Sequence, residues 1–111
     1  MSRVQSCAAM NKRLAMLEKL TQSGSADAFA FYALGMEYRK EGRVDDAVRT
    51  FAELRARDNA YLPVYLMAGQ TLAGAGRAEE AREWLTAGID VARAKGDGKT
   101  LGELESELAG L

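Results

Sequence analysis

Residues 31–51, FYALGMEYRKEGRVDDAVRTF, return 34 positions later as residues 65–85, YLMAGQTLAGAGRAEEAREWL. Phe31-x2-Leu34-Gly35-x2-Tyr38 becomes Tyr65-x2-Ala68-Gly69-x2-Leu72, and Ala47-x3-Phe51 becomes Ala81-x3-Leu85. Apolar residues three or four apart share one face of an α-helix, so each half of the unit reads as a helix. Between the halves one connector stands twice, Gly42-Arg43-Val44-Asp45-Asp46-Ala47 and Gly76-Arg77-Ala78-Glu79-Glu80-Ala81. A glycine suits the left-handed end of one helix, and paired carboxylates suit the positive end of the next. The unit is a helix, a tight turn and a second helix, used twice.

Outward from this core, residues 10–22 place Leu14, Leu17 and Leu20 at helical spacing, and Leu17 and Leu20 lie 34 positions before Phe51 and Leu54. This stretch reads as the second helix of an unfinished leading unit. Ser25 or Asp27 is expected to cap the helix that follows. The first full unit spans residues 26–57 and the second 60–95, with Pro63 in a first turn, where a missing N–H costs least. After Gly96-Asp97-Gly98, residues 97–110 carry Thr100, Leu101, Leu104 and Leu108 between acidic residues, an amphipathic helix that caps the array. Residues 1–9 are read as a flexible tail, with Met10 as an alternative start.

The repeated residues and the period resemble the tetratricopeptide repeat family, whose repeat has this length and this small/large pattern. The resemblance implies an all-α solenoid, two full helix–turn–helix repeats flanked by a leading helix and a capping helix. The second repeat departs from the family pattern at Ala68 and Leu72, where larger or aromatic side chains are usual, and Asn59 stands at the usual junction proline. Gly35 and Gly69 are expected to face Ala47 and Ala81 for close helix approach, with Phe31, Tyr38 and Phe51 filling the space around them. Trp84 has Thr50 as its equivalent. It is read as a contact for the capping helix or, less simply, as an exposed anchor.

The first helix of the first repeat carries a second apolar stripe, Phe29, Tyr32 and Met36, bordered by Arg39 and Lys40. In arrays of this family the corresponding face lines a concave groove, so the resemblance implies a peptide-binding wall there. Carrying the register forward adds Leu66, Gln70 and Ala73, and the last helix adds Thr100 or Leu101 and Leu104. Members that grip chaperone tails use a carboxylate clamp of lysine, asparagine and arginine. Tyr32, Met36 and Gln70 stand at those positions, so a chaperone co-factor role is disfavoured. The groove suits a hydrophobic or amphipathic segment of another protein. Two alternatives remain open, coverage of the stripe by the chain's own helices and a homodimer built through it.

Other chemistry finds little support. The net charge is −1, from 15 basic and 16 acidic side chains, which disfavours nucleic acid. Residues 1–25 carry +3 and residues 96–111 carry −3, an asymmetry compatible with head-to-tail contacts but screened by salt. The chain has no histidine, and Cys7 is its lone cysteine, so a metal centre, a cofactor and a catalytic base–nucleophile pair are not expected. Gly98-Lys99-Thr100 lacks the preceding glycine of a phosphate-binding loop, because Arg93 holds that place. Val4-Gln5-Ser6-Cys7 lacks the apolar stretch of ~7–15 residues that export of a lipoprotein needs. No stretch is apolar enough to span a membrane. The expectation is a non-enzymatic, cytoplasmic adaptor or scaffold without cofactors.

Overall fold

A computed structural model describes residues 11–24 and 26–111. The tail read over residues 1–9, the start at Met10 and the Ser25 cap lie outside these residues. The described chain forms six helices and no strand: α1 Lys12–Gln22, α2 Ala28–Lys40, α3 Val44–Arg57, α4 Pro63–Gly74, α5 Ala78–Lys95 and α6 Gly98–Ala109.

Local chemistry sets the helix ends. The side chains of Asn11, Asp27 and Asp97 accept from the backbone N–H of Leu14, Ala30 and Thr100 at 2.8, 3.0 and 3.0 Å, so three helices start on a cap. The helices α3 and α5 have no side-chain cap. They carry Asp45 and Asp46 or Glu79 and Glu80 in their first turns, which favour the positive end of the helix dipole. Both intra-repeat turns close in the same way. Gly42 and Gly76 sit at φ 78° and 77°, and the next N–H, of Arg43 or Arg77, donates to the carbonyl of Tyr38 or Leu72 at 2.9 Å in each case.

The body is a slab of 44 × 32 × 19 Å, and its least extent matches two layers of helices roughly 10 Å across. One layer holds α2, α4 and α6, and the other α1, α3 and α5. The backbones of α2 and α4, and of α4 and α6, approach within 8 Å, whereas α3 approaches neither α1 nor α5 that closely. The layer of first helices is therefore the tighter, inner side of a curved stack. The outer side opens into clefts.

One core runs through the stack, centred on Phe51, Leu54, Val64, Leu72, Leu85 and Leu104, all fully buried. The expected small-residue contact takes a different form. A Cβ on Gly35 would lie 2.3 Å from Phe51 Cε1, and one on Gly69 would lie 2.4 Å from Leu85 Cδ2. Each glycine thus makes room for the large side chain of its partner helix rather than for Ala47 or Ala81, which are buried beside it. Trp84 is buried and packs on Tyr65, ring centroids 5.9 Å apart, with the Arg55 guanidinium 4.7 Å over its ring. It is no exposed anchor.

Candidate functional site

The inner wall is built from the faces of α2, α4 and α6 that point away from the second helices. On α2, Phe29 is exposed to 64%, while Tyr32 and Met36 are half-buried against the core. Tyr32 is held by aromatic neighbours, its centroid 5.6 Å from Tyr61 and 6.3 Å from Phe51. Burial raises the Tyr32 phenol above its ordinary value, the Tyr61 phenol adds to this, and Arg39 opposes it. Burial also raises Tyr61. Both phenols stay protonated at neutral pH.

Arg39 extends across to α4, its Nη1 donating to Met67 Sδ at 3.2 Å. Lys40 is exposed, with its Nζ 3.8 Å from Glu37. Leu66, Gln70 and Ala73 are half-buried on α4. Gln70 donates its amide to Glu107 of α6 at 3.0 Å, which ties the two helices across the wall. Leu66, Gln70, Lys99, Gly102, Glu103 and Ser106, with Glu107, line an open depression of about 480 Å³.

One expected wall residue lies elsewhere. Leu104 is fully buried in the core and offers a ligand nothing. Gly88, which stands 34 positions after Leu54, leaves space that Tyr65 and Leu104 fill, with Leu104 Cδ2 3.1 Å from where a Cβ on Gly88 would lie. Lys99, Glu103 and Ser106 face the wall instead. Thr100 is used by its own helix start, donating its hydroxyl to Asp97 at 2.9 Å, and Leu101 is half-buried against the core. The sequence signal is a shifted register: Leu101-x2-Leu104-x3-Leu108 stands 36 and not 34 positions after Tyr65-x2-Ala68-x3-Leu72, following an α5 of 18 residues where α3 has 14.

Two further regions stand out. Outer clefts of about 510 and 320 Å³ open between α3 and α5 and between α1 and α3. Tyr65 lines the first and Phe31 the second. Arginines roof both: Arg55 lies 5.1 Å over the Tyr65 ring and Arg57 lies 4.4 Å over the Phe31 ring. Arg55 is also paired with Glu83 through two bonds of 3.0 Å, which raises its guanidinium and lowers Glu83. These side chains are saturated with partners in the fold. At the first-helix end, Met16 and Leu20 join Phe29 as the exposed large apolar side chains among the described residues. Leu54, the equivalent of Leu20 one period later, is fully buried, so α1 presents a face that its counterpart covers.

Tyr38, which the sequence placed in the hairpin core, is half-buried and donates its hydroxyl to Glu18 of α1. Burial and this carboxylate push its phenol up to about 12. Among the described residues no cluster of three or more potential ligands could hold a metal ion, and no helix is long and apolar enough to cross a membrane.

Comparisons with known proteins agree with this geometry. The sequence profile of the tetratricopeptide repeat matches residues 38–101. A tetratricopeptide repeat domain protein from Salinibacter ruber, solved in solution, superposes with a TM-score of 0.69 at 32% identity, over 75% of this chain and 84% of that one. A crystal structure of such a domain protein from the same organism gives 0.69 and 32%, over 76% and 93%. The solution structure of a protein from Bordetella parapertussis gives 0.75 at 25% identity, over 86% and 84%. No curated protein matches the chain.

Proposed function

Since the chain belongs to the tetratricopeptide repeat family, whose fold is in general a protein-interaction module, we propose that it binds a hydrophobic or amphipathic segment of another protein on its inner wall. The observation that carries the proposal is Phe29, exposed to 64% beside the half-buried Tyr32, Met36 and Leu66. A phenyl ring left in water forgoes roughly 2 kcal/mol or more of burial, which a partner surface recovers. Met36 adds an unbranched, polarizable contact that adapts to a partner's contour. Arg39, Lys40, Gln70 and Ala73 supply the polar and small margins of the same wall. Proteins of this family are generally non-catalytic scaffolds, and the role we favour is a cytoplasmic adaptor.

Tyr32 serves the fold as well as the wall, so a glutamate there would disturb its packing on Phe51 and Tyr61. A cleaner test uses Phe29→Glu alone, a position exposed to 64%, compared with wild type in affinity capture from the native cell. Ala94→Glu, in the outer cleft, serves as the control. The proposal expects capture to fall at least tenfold in the wall variant and to persist in the control, with melting unchanged in both. Capture retained by the wall variant refutes the proposal.

A second reading has its own observation. Met16 and Leu20 on α1, at the leading end of the stack, are exposed to 56% and 44%, a surface on which two copies of the chain can associate. Sedimentation over a range of concentrations tests it, and a strict monomer at high micromolar concentration removes it.

A further inference from the structure

The inner wall is not uniformly charged. At the C-terminal end of α2 the cations face few counter-charges, whereas Asp27 and Asp58 lie by Tyr61 toward the other end. Arg39 meets the thioether of Met67 rather than a carboxylate. Glu37 is buried and turned toward Arg13 at 3.2 Å, leaving Lys40 a longer contact of 3.8 Å, and Glu41 accepts from Asn11 at 2.7 Å. At the α6 edge the sign reverses. Glu103 makes no ion pair among the described residues, and Glu107 accepts from the uncharged Gln70, with Lys99 the cation of that helix. Tyr32 and Met36 precede Arg39 and Lys40 on α2, and Leu66 and Ala73 of α4 stand between the two edges, all four without charge at neutral pH.

We infer that the groove selects an amphipathic segment of a partner protein with segregated charge: acidic side chains at the end lying over α2, apolar ones in the middle, basic ones at the end lying over α6. The inference rests on the groove reading proposed above and adds the chemistry of the occupant. Neighbouring helix axes ~8–10 Å apart put α6 about 20 Å from α2. That span takes ~13 residues of helix or ~6 extended residues. The opposed edges attract such a segment in one placement and repel it in the reverse one, so charge sets register and partner choice while the apolar centre supplies affinity.

The test uses three fluorescein-labelled synthetic peptides of ~14 residues with the same leucine stripe. The first has glutamates at one end and lysines at the other, the second alternates the same charges, and the third replaces them all with glutamine. Fluorescence anisotropy is read at low and high salt. The segregated peptide is expected to bind about 3–10-fold more tightly than the alternating one at low salt, and the preference is expected to vanish at high salt. Lys40→Glu combined with Glu103→Lys, both at exposed positions, is expected to abolish the preference, whereas Ala94→Glu in the outer cleft is expected to keep it. Equal binding of the segregated and alternating peptides overturns this inference and leaves the groove reading standing. Binding of none of the three removes both.

Discussion

Replacing Gly35 with alanine tests how the two helices of the first repeat meet. The added Cβ would lie 2.3 Å from Phe51 Cε1, 2.6 Å from Cδ1 and 2.9 Å from Cζ, all on one ring. The ring must retreat by about 1 Å to restore an ordinary contact, but Phe51 is fully buried and Tyr32 packs on it. Overpacking of this kind costs ~1–3 kcal/mol. Against it stands the helix preference of alanine over glycine, worth ~1 kcal/mol. Three contacts under 3 Å with a fully buried ring put the cost in the upper part of that range, about 2–3 kcal/mol, so the expected outcome is a net loss of roughly 1–2 kcal/mol. For a domain of this size that lowers the melting temperature by about 4–10 °C. Gly74→Ala is the matched control, because a Cβ there meets nothing within 4 Å and the position ends α4. It should leave stability unchanged or slightly raised. Urea unfolding of both variants beside wild type gives the comparison. A Gly35→Ala protein as stable as the control would refute the close approach at Phe51.

Removing the ring instead of crowding it has a larger effect: Phe51→Ala is expected to cost ~3–5 kcal/mol by transfer and cavity terms, read by the same urea series. Tyr38→Phe removes the hydroxyl donated to Glu18, and an alkaline absorbance titration should lose the tyrosine that ionises latest, at about 12 in the wild type. Asp97 has its carboxyl held low, first by the backbone N–H of Thr100 and then by the Thr100 hydroxyl. Its stabilising contribution is therefore full above the unfolded carboxylate value and fades as pH falls below about 4. Asp97→Asn keeps an acceptor at the cap, so melting scans in buffers below about pH 4 should show less loss with falling pH than wild type.

Much of the architecture could be read from the period alone. A spacing of 34 residues fixes which helices are equivalent, and equivalent residues repeat their environments: Ala47 with Ala81, Phe51 with Leu85, Gly42 with Gly76. The inner faces of α2 and α4 follow, because their side chains keep the register that the repeat imposes. Where the period ends, the reading fails. Extending the register by 34 places Leu104 on the wall, but the core pattern of α6 follows that of α4 by 36 positions, which puts Leu104 in the core beside Gly88. Leu20 looks like Leu54 in sequence and differs from it in exposure, because burial depends on the neighbour a position meets and not on the residue itself. The arginine–aromatic stacks over Phe31 and Tyr65 also escape the pattern, since long side chains from the last turn of α3 reach both rings through space.

Amide chemical shifts recorded while the charge-segregated peptide is titrated into the labelled protein test the central claim most directly. The account predicts that the perturbed amides trace Phe29, Met36, Leu66 and Gln70 on the inner wall, while Arg55, Ala87 and Val91 around the outer cleft stay still. Perturbations confined to that outer cleft, or to Met16 and Leu20 at the end of the stack, would contradict it.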